Sequence, residues 1–198
     1  MKPLFGLLLL ALLLGGCQSM PPLVAGTPPA TTQQLERWQL KGRIGYDNGQ
    51  DGGSAHLVWQ QSQAGQGRLE LSGPLGFGSA NIAYGADGAT LDTGKQQFHA
   101  PSATELAWRV TGLMLPIPAL TWWVRGLPWP DANIDASQYN AGQLVALSQA
   151  GWQLQFDRYQ PHQGLLLPGR IKARQGETRF TLLISDWTLP STDSAPSP

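Results

Sequence analysis

Trp38-Gln39-Leu40-Lys41-Gly42-Arg43-Ile44-Gly45-Tyr46 puts Trp38, Leu40, Ile44 and Tyr46 on one face of an extended strand and Gln39, Lys41 and Arg43 on the other. The same period of two recurs along the chain. It appears in Ala55, Leu57 and Trp59, and in Leu69 and Leu71 flanked by Arg68, Glu70 and Ser72. It returns in Ala80, Ile82 and Tyr84, in Trp152, Leu154 and Phe156, and in Phe180, Leu182 and Ile184 opposite Arg179, Thr181 and Ser185. Between these runs stand turn signals: Asp47-Asn48-Gly49, Asp87-Gly88, Ala150-Gly151 and Gln175-Gly176. The pattern predicts a mainly β (α+β) fold: a curved antiparallel sheet that meanders and keeps one apolar face.

Three segments break the alternation and predict about three short helices. Thr31 to Trp38 is a short amphipathic candidate. Ser102-Ala103-Thr104-Glu105 is a capping box that opens a helix through about Val110. Pro118 suits a first helical turn, and Gly126 with Pro128 is a stop signal, so Ala119 to Arg125 should form a compact helix carrying Trp122 and Trp123. Helices laid on the apolar face of a strongly curved sheet leave space between the two layers, and that space is the expected seat of function.

Outside this domain the chain is organised by its amino terminus. Residues 1–16 have the parts of a signal peptide: Lys2, an apolar run from Leu4 to Leu14, and small Gly15-Gly16. The apolar run is shorter than the roughly 20 residues a membrane-crossing helix needs, and no later stretch approaches that length. Leu14-Gly15-Gly16-Cys17 resembles a bacterial lipobox, which makes Cys17, the single cysteine of the chain, the expected lipid anchor. Two or more acyl chains would hold it stably in a bilayer. Residues 17–30 are Pro-rich and read as a lipidated amino terminus and tether, residues 31–190 as the folded domain, and residues 191–198 as a disordered tail.

Composition removes several functions. The mature chain carries 12 basic and 13 acidic residues, so nothing draws it electrostatically to nucleic acid. Only 13% of residues are charged while Trp numbers 8, which suits a large apolar interior. His56, His99 and His162 lie far apart without zinc-site spacing, and neither a phosphate-binding loop nor a Gly-x-Ser-x-Gly elbow occurs. Asp131 and Asp135 fall in turn-rich sequence, and a lipidated Cys17 leaves no thiol nucleophile. No cofactor, no metal and no enzymatic activity are expected.

Gly73-Pro74-Leu75-Gly76-Phe77-Gly78 is a loop between two strands with apolar residues where a tip is normally polar. It reads either as folding back onto the core or as a finger that touches membrane or ligand. Here a family resemblance adds to the reading. Lys41-Gly42-Arg43-Ile44-Gly45-Tyr46, Trp59-Gln60-Gln61, Gly73-Pro74-Leu75-Gly76, Leu113-Met114-Leu115-Pro116-Ile117-Pro118, Trp123-Val124-Arg125-Gly126-Leu127-Pro128 and the closing Asp186-Trp187 stand in an order that resembles the LolB family of outer-membrane lipoprotein receptors.

The resemblance implies an incomplete β-barrel covered by helices, with a hydrophobic cavity that receives lipoprotein acyl chains from the soluble periplasmic carrier LolA. It implies a monomer anchored in the outer membrane and facing the periplasm, with acylated lipoprotein cargo and outer-membrane lipid as further partners. Leu75 takes the place of the family's apolar membrane-insertion residue, and Phe77 departs from the more polar residue expected there. Gln18 after Cys17 is not the Asp of inner-membrane retention, which favours outer-membrane delivery.

Such a receptor needs shelter rather than a catalyst. Each buried methylene is worth about 0.8 kcal/mol, so exposing a sixteen-carbon chain would cost on the order of 12 kcal/mol. Direction must come from relative affinities, loosest in the donor and tightest in the bilayer. The expected cavity lining is Trp38, Leu40, Trp59, Leu69, Leu71, Ile82, Trp122, Trp123, Phe180 and Leu182, each of which reads equally as core packing. The competing readings are a structural envelope scaffold with a fully packed sheet and a soluble carrier of the LolA kind.

Overall fold

Alternation of the expected kind builds β1 (Trp38–Asp47), β2 (Gly52–Gln63), β3 (Gln66–Gly73), β4 (Gly78–Gly85), β5 (Gly88–Asp92) and β6 (Gln97–Ala100), an antiparallel meander. After two helices come β7 (Ile134–Asn140), β8 (Gln143–Gln149) and β9 (Trp152–Asp157). A separate hairpin of β10 (Gln160–His162) and β11 (Leu165–Leu167) then leads to β12 (Arg170–Gln175) and β13 (Thr178–Thr188). The computed structural model describes residues 31–73, 78–111 and 114–190. The expectations for residues 1–30, including Cys17, for Leu75 and Phe77, and for residues 191–198 lie outside these described residues.

Among the described residues, eleven strands form one sheet in the order β6-β5-β4-β3-β2-β1-β13-β12-β9-β8-β7. The last strand returns to pair with the first, setting Ile44 opposite Leu182 and Tyr46 opposite Phe180, so one apolar face runs unbroken across the join. A bulge interrupts this pairing at Lys41/Gly42. There the backbone of β13 comes so close that a Cβ on residue 42 would overlap the Leu183 carbonyl oxygen, which is why this strand position is glycine. Bulges sharpen the local twist, and twist is what curls a sheet this wide into a trough. The β8–β9 hairpin turns on Ala150 (φ 52°) and Gly151 (φ 78°), the left-handed pair that a two-residue hairpin requires.

The helices differ from expectation at one end of the chain. Thr31 to Trp38 does not form a helix: a single 3-10 turn covers Thr32–Gln34, and Trp38 already belongs to β1, paired with Gln61 and wholly buried. Cross-strand pairing and indole burial override a weak helical pattern there. The other two helices form. In α1 (Ala103–Thr111) the Glu105 amide donates to Ser102 Oγ at 3.1 Å, the expected cap, while the Glu105 carboxylate pairs with Arg109 one turn on instead of reaching back. In α2 (Ile117–Trp123) Pro118 occupies the first turn, and the chain leaves the helix through Gly126 at φ 73°. Contacts of α1 with β4, β5 and β6 place it over one wing of the trough.

Candidate functional site: a trough closed at one end

Cross-strand register gathers most of the expected lining into one row. Leu40 faces Trp59, Trp59 faces Leu69, and Leu69 faces Ile82 across four neighbouring strands. One step along, Leu57 faces Leu71; Phe180 and Leu182 continue the apolar face beyond β1. Nine of the ten expected residues, all but Trp122, belong to this core or pack against it. Trp122 is half-buried and lies under the Arg125 guanidinium, 4.3 Å from its ring centre.

Packing is uneven along the strands. At the end where β1 begins, Trp38 meets Trp59 edge to face at 5.1 Å and Trp187 at 5.6 Å. Trp38 and Leu40 are 0% exposed and Trp59 is 2% exposed, so this end is closed. Trp59 donates its indole N–H to Tyr84 Oη at 3.0 Å, and burial pushes the Tyr84 phenol up to about 12. Toward the opposite end, which carries the β1–β2, β3–β4, β5–β6 and β12–β13 turns, Ile44, Tyr46 and Leu71 on the same face are half-buried, while their neighbours Ala55, Phe180 and Leu182 stay buried. The apolar trough is therefore sealed by tryptophan at one end and partly uncovered toward the other.

Two buried polar residues hold the roof. Gln149 is 0% exposed; its Oε1 accepts from Trp123 Nε1 (3.0 Å) and the Trp129 amide (2.9 Å), and its Nε2 donates to the carbonyls of Trp129 (2.7 Å) and Ala132 (2.9 Å). It ties α2 and the segment after it to β8. Arg125 donates to the carbonyls of Thr121 (2.9 Å), Thr32 (3.3 Å) and Leu35 (2.9 Å), which fastens the chain before β1 to the end of α2. Burial lowers the Arg125 guanidinium to about 10, partly offset by the charge of Glu36, and it remains a cation at neutral pH. Sequence reasoning did not single out either residue for this role. The available signals were a polar residue two places after inward Leu147 and a charge closing an apolar helix.

A groove of about 860 Å³ spans β7 to β9 and β12 to β13, and its walls combine Gln138, Gln153, Lys172 and Arg179 with Tyr46, Leu147, Leu154 and Phe180 of the apolar core. Among the described residues no three His, Cys, Asp or Glu side chains converge to hold a metal ion. No described helix is long and apolar enough to cross a membrane.

Comparison with known proteins points the same way. Residues 36–187 match the family described as Outer membrane lipoprotein LolB. The chain is 36% identical over 189 residues to the Outer-membrane lipoprotein LolB of Stutzerimonas stutzeri, covering 90% of this chain and 91% of that one. It is 40% identical to the same-named protein of Cellvibrio japonicus over a 201-residue alignment, covering 92% of this chain and 97% of the relative. Two solved structures share the fold at much lower identity. A LolA superfamily protein from Nitrosomonas europaea superposes with a TM-score of 0.52 at 9% identity, over 78% of this chain and 86% of its own. A DUF1329 family protein from Desulfovibrio piger gives 0.55 at 7% identity, over 84% and 89%.

Proposed function

The chain belongs to the LolB family of outer-membrane lipoproteins, and from that membership we propose that it takes acylated lipoproteins from the periplasmic carrier LolA into its apolar trough and passes them to the outer membrane. The observation that supports this most is the gradient along the trough. A face closed by Trp38, Trp59 and Trp187 but only half-covered at Ile44, Tyr46 and Leu71 offers alkyl chains an apolar wall that ordinary core packing has left partly free. Cys17 carries the acyl anchor, the domain faces the periplasm as a monomer, and no step requires nucleotide or a catalytic group. Transfer runs down a ladder of affinities, because each methylene moved from one shelter to another stays out of water throughout.

Leu75, at the β3–β4 connection, acts at release. Leu75→Glu should leave capture of cargo from the carrier unchanged and slow insertion at least tenfold, since a carboxylate carried into the bilayer surface loses hydration that the leucine never had. The check is a two-stage assay with a labelled lipoprotein: transfer from loaded carrier, then release into liposomes. Insertion by the Glu variant at the normal rate would remove the role assigned to Leu75. If the wild-type chain accepts no lipoprotein from the carrier, the receptor reading fails, and a packed envelope scaffold takes its place.

A further inference from the structure

Strand β12 sets like charges side by side. Lys172 and Arg174 alternate with buried Ile171 and Ala173, so both stand on the exposed face of the strand, and Arg174 is the direct cross-strand partner of Arg179 on β13. Two guanidinium groups opposite each other on neighbouring strands repel, which costs stability unless something answers the charge. Arg179 is answered in part, since it donates to Asp47 Oδ2 at 2.9 Å. Lys172 and Arg174 are not: the ion pairs among the described residues join Arg109 to Glu105, Arg170 to Asp157 and Arg179 to Asp47. Asp157, the acidic group nearest Lys172 in the register, is already claimed by Arg170 through hydrogen bonds of 2.7 and 2.6 Å.

All three cations line the groove of about 860 Å³, whose walls also include Gln153, Gln155, Ser148 and Thr181. The space far exceeds a bare phosphate and suits one that carries a hydroxylated substituent. Guanidinium and ammonium groups serve the phosphoryl oxygens, and amides and hydroxyls serve a polyol. The groove reaches the partly uncovered end of the trough: Asp47 is the last residue of β1, Arg174 the penultimate residue of β12 and Arg179 the second of β13. Asp51 and Glu177 stand at the adjoining turns and offset these cations at a distance, so the rim exerts little diffuse pull on an anionic surface. Attraction is confined to a group that enters the groove.

Resting on the receptor reading for the direction in which this end faces, we propose that the groove binds the glycerophosphate head of an anionic membrane lipid. Lys172, Arg174 and Arg179 hold the phosphate, and the contact sets the open end of the trough on the headgroups of the membrane that receives cargo.

The test is equilibrium dialysis of glycerophosphoglycerol, the soluble head of phosphatidylglycerol, against the full lipidated chain in phosphatidylcholine vesicles. Saturable binding at one head per chain, at least tenfold tighter than that of inorganic phosphate, is the expected result. Lys172→Gln and Arg174→Gln should each weaken it at least tenfold by removing a charge-assisted hydrogen bond, and both positions are exposed, so neither change disturbs the core. Lys95→Gln removes the same charge from the β5–β6 turn and should leave binding unchanged. Adding phosphatidylglycerol to the vesicles should weaken binding of the soluble head at least tenfold, because the membrane's own heads then fill the groove. Equal loss in Lys95→Gln, equal affinity for inorganic phosphate, or binding undiminished by phosphatidylglycerol overturns the proposal. None of these measurements uses cargo. A wild-type chain that binds the head but accepts no lipoprotein from the carrier removes the receptor reading, whereas one that accepts lipoprotein and does not bind the head removes this site alone.

Discussion

Gln149→Ala should lower the stability of the folded chain by roughly 3 to 5 kcal/mol, about 10 °C in melting temperature for a domain of this size. The side chain is wholly buried and makes four hydrogen bonds, so truncation strands the Trp123 indole N–H, the Trp129 amide and carbonyl and the Ala132 carbonyl. Each stranded group costs about 1 to 3 kcal/mol, and shared relaxation keeps the sum below the total. Gln149→Glu separates the acceptor half of this role from the donor half. A carboxylate still accepts from Trp123 and Trp129 but cannot donate to the two carbonyls, and burial raises its pKa in the folded state above the unfolded value of about 4.3. The folded state then binds the proton more tightly, so the Glu variant loses stability as pH rises from 5 to 8. Thermal unfolding followed by circular dichroism at both pH values checks this. A Glu variant equally stable at the two would mean that Gln149 is not sealed from solvent.

The second large effect concerns binding rather than folding. Leu71→Glu should weaken binding of a fluorescent long-chain alkyl amide at least tenfold while costing about 1 kcal/mol or less of stability. Leu71 is only half-buried and can turn a carboxylate toward water in the empty protein, but an alkyl chain lying on that wall removes the water. Leu183→Glu is the matched control. Leu183 is 37% exposed and sits between Arg43 and Arg170 on the opposite face, so the same charge there should leave the affinity unchanged. Equal loss in both variants would mean that the probe binds the outer face.

Much of this architecture is written in local periodicity. The runs at Trp38 to Tyr46, Leu69 to Leu71 and Phe180 to Ile184 show their inward face because each strand is wet on one side and apolar on the other. The strand β7 could not be read that way, since all seven of its residues are exposed at the sheet edge and no burial imposes alternation on them. Ser102 and Glu105 announced α1 because a cap is a short-range interaction, whereas Thr31 to Trp38 misled because the partners that claim Trp38, at positions 59, 61 and 187, are remote in sequence.

The site was legible as a face and not as an opening. Trp38, Leu40 and Leu71 have the same pattern in one dimension, yet only Leu71 is left partly uncovered, because coverage depends on where α1 and α2 come to rest. Arg125 and Gln149 fix the resting place of α2 through hydrogen bonds to backbone carbonyls up to 93 residues away, which no spacing rule reports.

The most direct test of the apolar trough is an equilibrium titration of the chain lacking residues 1–17 with the fluorescent alkyl amide, followed by competition with a triacylated lipopeptide. Saturable binding at one or a few probes per chain, displaced by the lipopeptide and weakened in Leu71→Glu, is the expected result. Fluorescence that rises without saturation, or that the lipopeptide does not displace, would mean the interior is filled by its own side chains and carries no cargo.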